Sequence, residues 1–233
     1  MTKTYAEYLV EKFQKNESKK EKEENKFIKW LDELSKESLF VAGGKGANLA
    51  ELYNIKMPVP RAFVVTAEAY TYFLTEAGLV EKINAMLKAI DIDNTEQLEK
   101  EAKKIQKIVA EAEMPYELKH DILEAYEILS TPEVADFQGD ALAIMKTAYE
   151  PCFVAVRSSA TTGDLATASF AGQQETFLNV KGTKELIEAI KKCFASLFTA
   201  RAIYYREKRG FAHETAKLAA IVQRMVNSEK SGV

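Results

Sequence analysis

The chain has 233 residues, of which 47 % are apolar and 29 % charged, and its formal net charge is −3. That length accommodates one large domain or two small ones around a sizeable core, and the mild acidity offers no global electrostatic case for nucleic acid. No apolar run approaches the ~18 residues of a membrane span, and Met1-Thr2-Lys3-Thr4-Tyr5 opens no apolar signal segment.

Residues 1–25 are expected to form a charged N-terminal arm. Tyr5, Tyr8, Leu9 and Phe13 have helical spacing, but Asn16 to Lys26 is a run of mixed charge with nothing to bury. Phe27 to Leu31 reads as a strand. Gly43-Gly44-Lys45-Gly46 reads as a turn that opens a helix reaching Leu52. Pro58 and Pro60 force an extended connection into a short strand, Phe63 to Thr66. Thr66 then caps a helix from Ala67 to Thr75.

Three helical segments follow, near Leu79–Ile90, Thr95–Ala112 and Tyr116–Leu129. Asn94 is placed as an N-cap, and Pro115 in the first turn of the third segment. This block, about 79–149, is expected to be a helical insertion without chemistry of its own. Phe153 to Val156 is a valine-rich strand that meets Arg157 and a loop of small polar residues. A second strand, Thr176 to Val180, follows that loop. Thr183 is expected to cap a helix running to Phe198, with Leu186, Ile187, Ile190, Cys193, Phe194 and Leu197 as its apolar stripe. A further helix covers Ala200 to Lys208, and Ala216 to Val226 is a buried strand.

Two places suit an anion. Arg157 offers a planar, permanently charged donor fork, with hydroxyls and amides of the adjoining loop beside it. The alternative is a solvated turn with a surface ion pair. Glycines around Lys45 let backbone approach a ligand closely at a helix start; the alternative, which the segment read alone favours, is a plain glycine turn with a solvated lysine. The segment is not a Walker A loop, which needs four residues between its first glycine and Gly-Lys-Ser/Thr. Of the two histidines, neither His120 nor His213 belongs to a triad or a zinc spacing, and each is expected at a surface or helix end. Arg201, Arg206, Lys208 and Arg209 read as the polar face of an amphipathic helix. Cys152 and Cys193 read as small buried residues of a reducing compartment, and a cytoplasmic location is expected.

Taken in order, Gly43-Gly44-Lys45-Gly46-Ala47-Asn48-Leu49, Pro58-Val59-Pro60, Phe63-Val64-Val65-Thr66, Ala155-Val156-Arg157-Ser158-Ser159-Ala160-Thr161, Ala168 to Thr176, Ala195-Ser196-Leu197-Phe198 with Arg201-Ala202, and Val222-Gln223-Arg224-Met225-Val226 resemble one family. It is the N-terminal ATP-binding domain of phosphoenolpyruvate synthase (pyruvate, water dikinase), to which pyruvate phosphate dikinase and rifampicin phosphotransferase are related. The likeness covers about residues 26–233.

The resemblance implies an α/β (α+β) chain forming part of an ATP-grasp fold. It implies cleavage of ATP to AMP and phosphate, with a phosphoryl group passing to a histidine on one further domain and then to pyruvate on another. By the same resemblance Lys45 and Arg157 contact the phosphates, Arg157 being the catalytic candidate. Gly172 and Thr176 line a loop over the phosphates, and Gln223 lies near the adenine. The Mg²⁺ ligands are expected beyond residue 233, so no metal ligand is assigned here. The chain is accordingly expected to be a fragment, inactive alone, whose partners are ATP and the phosphohistidine and pyruvate-binding domains, without nucleic acid or membrane. Gly163-Asp164-Leu165-Ala166 lacks the family's usual acid and proline, and Ala62 stands where glycine is usual. An antibiotic phosphotransferase, a pyruvate phosphate dikinase or a degenerate non-catalytic module are the alternatives.

Overall fold

Five short apolar runs pair into one antiparallel sheet in the computed structural model, which describes residues 26–131, 150–161 and 175–228. The order across the sheet is β1 (Ile28–Trp30), β2 (Ala62–Val65), β5 (Leu218–Arg224), β3 (Val154–Ala160) and β4 (Thr176–Val180). β5 lies at the centre, between β2 and β3. Leu218 to Val222 are all buried, so the strand carries apolar side chains in succession instead of alternating with polar ones. Seven helices are found among the described residues: α1 (Leu39–Asn54), α2 (Ala67–Glu76), α3 (Val80–Lys88), α4 (Thr95–Glu111), α5 (Tyr116–Ser130), α6 (Thr183–Ala195) and α7 (Ala200–Lys208). The result is a mixed helix and antiparallel-sheet architecture.

The two sheet faces are buried by different partners. Phe63, Val65, Val154, Val156, Ala220 and Val222 point into the main core, which includes Phe73 of α2, Ile105 of α4, Leu118 of α5 and Phe194 of α6. Ala62, Val64, Ala219 and Ile221 point the other way, against Ala42 and Ala50 of α1 together with Leu31 and Leu34. Strand periodicity requires this division, since successive side chains leave opposite faces. The helices α3 to α5 are embedded in the same main core as the sheet. In α4 the buried residues Leu98, Ala102, Ile105 and Val109 recur at helical spacing. The Tyr126 hydroxyl of α5 donates to the Cys152 carbonyl (2.7 Å) and accepts from the Gly182 N–H (3.0 Å), tying α5 to the segments entering β3 and α6. Residues 1–25 and 132–149, the charged arm and the end of the helical block, lie outside the described residues.

Capping chemistry read from the chain recurs in part. Thr66 accepts from the Ala69 N–H (3.2 Å), and Asn94 accepts from the Gln97 N–H (3.0 Å). Thr183 does not cap α6. It is the first helical residue, and the cap position belongs to Gly182, whose φ of 92° would strain any other residue. The helix stops at Ala195, and Ser196–Phe198 form a separate 3₁₀ turn. Pro115 occupies the cap position of α5, one residue before the first turn.

The expectation for Arg206 is corrected, while His213 stands at a helix end, as the first residue of a 3₁₀ turn (His213–Thr215), half-buried. Arg201, Lys208 and Arg209 are exposed, but Arg206 turns inward and is only 1 % exposed. Its Nη2 donates to the Leu197 carbonyl (2.8 Å), and its Nε donates to His213 Nδ1 (2.9 Å). His213 Nε2 lies 2.9 Å from Glu207 Oε1. Because Nδ1 accepts from an arginine, the neutral imidazole carries its proton on Nε2 and donates it to Glu207. Burial, and then the Arg206 charge, hold the His213 pKa below the ordinary 6.5. The neutral form is therefore favoured by folding, so stability is full above pH ~6.5 and is lost as the pH falls toward the folded-state value. Thermal unfolding of wild type and His213→Gln at pH 8 and pH 5 should show a larger acid-side fall in Tm for wild type. Parallel pH dependences would contradict this reading.

Candidate functional site

Strand pairing places several of the candidate residues on one sheet face. Arg157 is directly opposite Ile221 of β5 on one side and Thr176 of β4 on the other. Ala155 is opposite Gln223, which is in turn opposite Ala62 of β2. Residues directly opposite in a ladder project to the same face. Ala62 and Ile221 belong to the α1 side, so Arg157, Thr176, Gln223 and Ser159 belong to it as well. β3 continues through Ala160, so Arg157 is a mid-strand residue and not the first residue of a loop.

α1 crosses this face in two pieces. Gly43 has φ 69° and ψ 172°, which breaks the helix after one turn and restarts it at Gly44. The glycine sequence therefore does not precede the helix but interrupts it. Two constraints demand glycine at position 43. The positive φ is one; the other is that a Cβ there would overlap the Ser159 hydroxyl and carbonyl. Gly46 is close-packed too, since a Cβ would fall 2.9 Å from that of Ala42. The Gly46 N–H donates to Ser159 Oγ at 3.1 Å. Counting Gly43 as the cap of the restarted helix, Gly46 is its third residue, whose N–H an N-cap hydroxyl ordinarily receives. A glycine cap has no hydroxyl; the buried Ser159 supplies one from β3. A capping bond of this kind is worth about 1 kcal/mol.

Lys45 is the second residue of the restarted helix. It is exposed by surface area, yet its ammonium is dense enough in its surroundings that its pKa is lowered, first by partial burial and then by the Arg157 charge. Two cations distant in sequence are thus held within electrostatic reach of each other. Arg157 and Lys45 form no ion pair with a carboxylate among the described residues. The sheet-face residues around them, Ala155, Ser159, Ile221, Gln223 and Thr176, include no acid. Like charges gathered in this way are unfavourable unless an anion joins them, and an anion with several oxygens answers both.

The remaining candidates fall as follows. Thr176 is exposed beside Arg157. Gln223 is half-buried, with Nε2 donating to the Pro60 carbonyl at 3.4 Å. Gly172 and the Gly163–Ala166 segment lie outside the described residues. His120 is exposed on α5 beside Asp121. Both cysteines are free; Cys193 is fully buried, and burial pushes its thiol up. Ser159 was legible only as a loop hydroxyl. Its role depends on the strand continuing and on a contact across 113 residues.

Residues 40–233 match the family described as pyruvate phosphate dikinase, AMP/ATP-binding domain, and the chain belongs to that family. Among curated relatives, a probable phosphoenolpyruvate synthase of Methanocaldococcus jannaschii is 50 % identical over 208 residues, which is 89 % of this chain and 16 % of the relative. A probable phosphoenolpyruvate synthase of Archaeoglobus fulgidus is 46 % identical over 88 % of this chain and 25 % of its own length. The phosphoenolpyruvate synthase of Pyrococcus furiosus is 40 % identical over 89 % of this chain and 28 % of its own length. The chain therefore spans between about a sixth and somewhat over a quarter of the length of these relatives.

The electrostatic coupling can be measured directly. Lys45 should be acylated by an amine-selective reagent at a lower pH than the exposed lysines, as read by mass spectrometry of the modified peptide. Arg157→Gln removes one of the two causes, so the Lys45 profile should move to higher pH. Coincident profiles in wild type and variant would show that the two side chains do not interact.

Proposed function

We propose that this chain is the ATP-binding part of a phosphoenolpyruvate synthase-like dikinase, built on an ATP-grasp plan. The reaction is ATP + pyruvate + water to phosphoenolpyruvate + AMP + phosphate, by way of a phosphohistidine on another domain. The supporting observation is that Lys45, at the helix start bonded to β3, feels the Arg157 charge, while neither forms an ion pair with a carboxylate among the described residues. Family membership supports the same nucleotide, and the names of the relatives support this acceptor over an antibiotic.

The chemistry asked of these residues is mainly positioning and charge neutralisation. Arg157 binds phosphate oxygens through two parallel N–H donors and is fixed in direction by strand neighbours on both sides. Lys45 adds a point charge from the helix start. As negative charge redistributes over the transferring phosphoryl oxygens, both cations stabilise it without needing to move. Thr176 offers a hydroxyl next to Arg157, and Gln223 offers an amide two residues further along β5 from the Arg157 pairing position, a separation suited to the adenine end of the same nucleotide. Mg²⁺ would supply further neutralisation of the phosphates. Among the described residues, Ala155, Arg157, Ser159, Thr176, Ile221 and Gln223 of this face offer no carboxylate to hold it, and no step is assigned to it.

Titration with a fluorescent ATP analogue tests the binding claim. Lys45→Ala and Arg157→Ala should each weaken binding by about tenfold or more, on the scale of a lost charge-assisted hydrogen bond. Binding unchanged in both variants would sink the reading. In an enzyme joining this chain to its histidine and pyruvate domains, Arg157→Ala should slow histidine phosphorylation by about 10²-fold in single turnover. The 233-residue chain by itself should form no phosphoenolpyruvate from ATP and pyruvate; product formation would refute that assignment.

A further inference from the structure

We propose that Ser159 is a positioning residue for nucleotide phosphates: its hydroxyl serves as the N-cap of a helix start that lies 113 residues away, and so holds Lys45 beside Arg157. The inference rests on the nucleotide reading above and adds to it the part that builds the site.

The Gly43-Gly44-Lys45-Gly46 segment lacks a side-chain cap of its own. A helix restarting at Gly44 needs an acceptor for the N–H groups of its first turn. The residue at the cap position is glycine, which has no side chain to provide one. Glycine is nevertheless required there, because φ is positive and because the backbone passes so close to Ser159 that a Cβ would collide with it. The same close approach brings Ser159 Oγ to 3.1 Å from the Gly46 N–H. One contact thus explains both the absence of a local cap and the presence of a remote one.

The consequence for the site is geometric. Ser159 is two residues from Arg157 on β3, and both project to the α1 face. Lys45 is the residue before Gly46. A single hydrogen bond therefore ties the element carrying one cation to the element carrying the other. Ser159 is fully buried and rigidly paired opposite Ala219 of β5, so the anchor does not drift. Bringing two cations together opposes itself electrostatically, and a fixed mechanical link is what maintains it in the absence of anion. The neighbouring Ser158 provides a contrast. It is equally buried, but it faces the main core, and its hydroxyl donates to the Glu175 carbonyl (3.3 Å) without touching the glycine segment.

The test compares Ser159→Ala, Ser159→Thr and Ser158→Ala with wild type, using three readouts. These are the pH profile of Lys45 acylation, hydrogen exchange of the backbone amides around Gly46, and protection of Lys45 by ATP. Ser159→Ala should speed exchange at Gly46 by about fivefold, the equivalent of one capping bond. It should also move the Lys45 profile to higher pH and weaken ATP protection by about tenfold. Ser159→Thr keeps the hydroxyl and should restore the exchange rate and the Lys45 profile. Ser158→Ala should leave the Lys45 profile where it is, even if it lowers overall stability. Exchange and Lys45 profiles in Ser159→Ala that match wild type would overturn the proposal while ATP protection of wild type upheld the nucleotide reading. Failure of ATP to protect wild-type Lys45, with the exchange and acylation shifts present, would overturn the nucleotide assignment and leave the mechanical link standing.

Discussion

The close approach of a glycine segment to a buried strand serine is the constraint on which the rest of this structure depends. α1 is the principal helix covering its face of the sheet, and it reaches that face through residues without side chains or with a single methyl: Ala42, Gly43, Gly46, Ala47 and Ala50. Small residues let the helix axis sink toward β3 and β5. The van der Waals return from such a contact is modest per atom, but the geometry it imposes is narrow. Gly43 cannot carry a Cβ, and Ser159 cannot leave its place in a fully paired strand.

That narrowness is what an anion site of this type needs. Surface lysines and arginines ordinarily spread apart and into water. Here one cation is fixed by strand pairing on both sides, and the other by a helix start locked to the same strand. If the proposed nucleotide reading holds, the site is prepared before its ligand arrives, which removes part of the ordering cost of binding. The opposite sheet face is built on a different principle. It buries large side chains such as Phe63, Phe73, Tyr126 and Phe194 against α2 to α6.

The Arg206–His213–Glu207 chain illustrates how a charge can be buried in such a core. Burial lowers the Arg206 pKa to about 10. The guanidinium remains charged at neutral pH because a backbone carbonyl and an imidazole nitrogen take the place of water. This arrangement closes the connection between α7 and β5. Nothing in the spacing of Arg201, Arg206, Lys208 and Arg209 singles out the one that turns inward, since a nine-residue helix offers little periodicity from which to judge.

Much of the fold was legible in the amino-acid order because it rests on local rules. Valine-rich runs became β2, β3 and β5; Thr66 and Asn94 capped helices as their side chains permit; the 3.6-residue stripe of α4 marked its buried side. The likeness to one nucleotide-binding family was also a property of sequence alone, carried by short segments in a fixed order. Tertiary structure alone decided that β3 runs on through Ser158 and Ser159, because Ala219 and Ala220 of β5 pair with them and make their hydroxyls strand side chains. It decided that the glycine segment interrupts a helix instead of opening one, because Ser159 occupies the space a Cβ would need. It also decided that Lys45 feels the Arg157 charge, since no local pattern relates residues more than a hundred positions apart; only the pairing of strands and the seating of α1 upon them bring the two segments together.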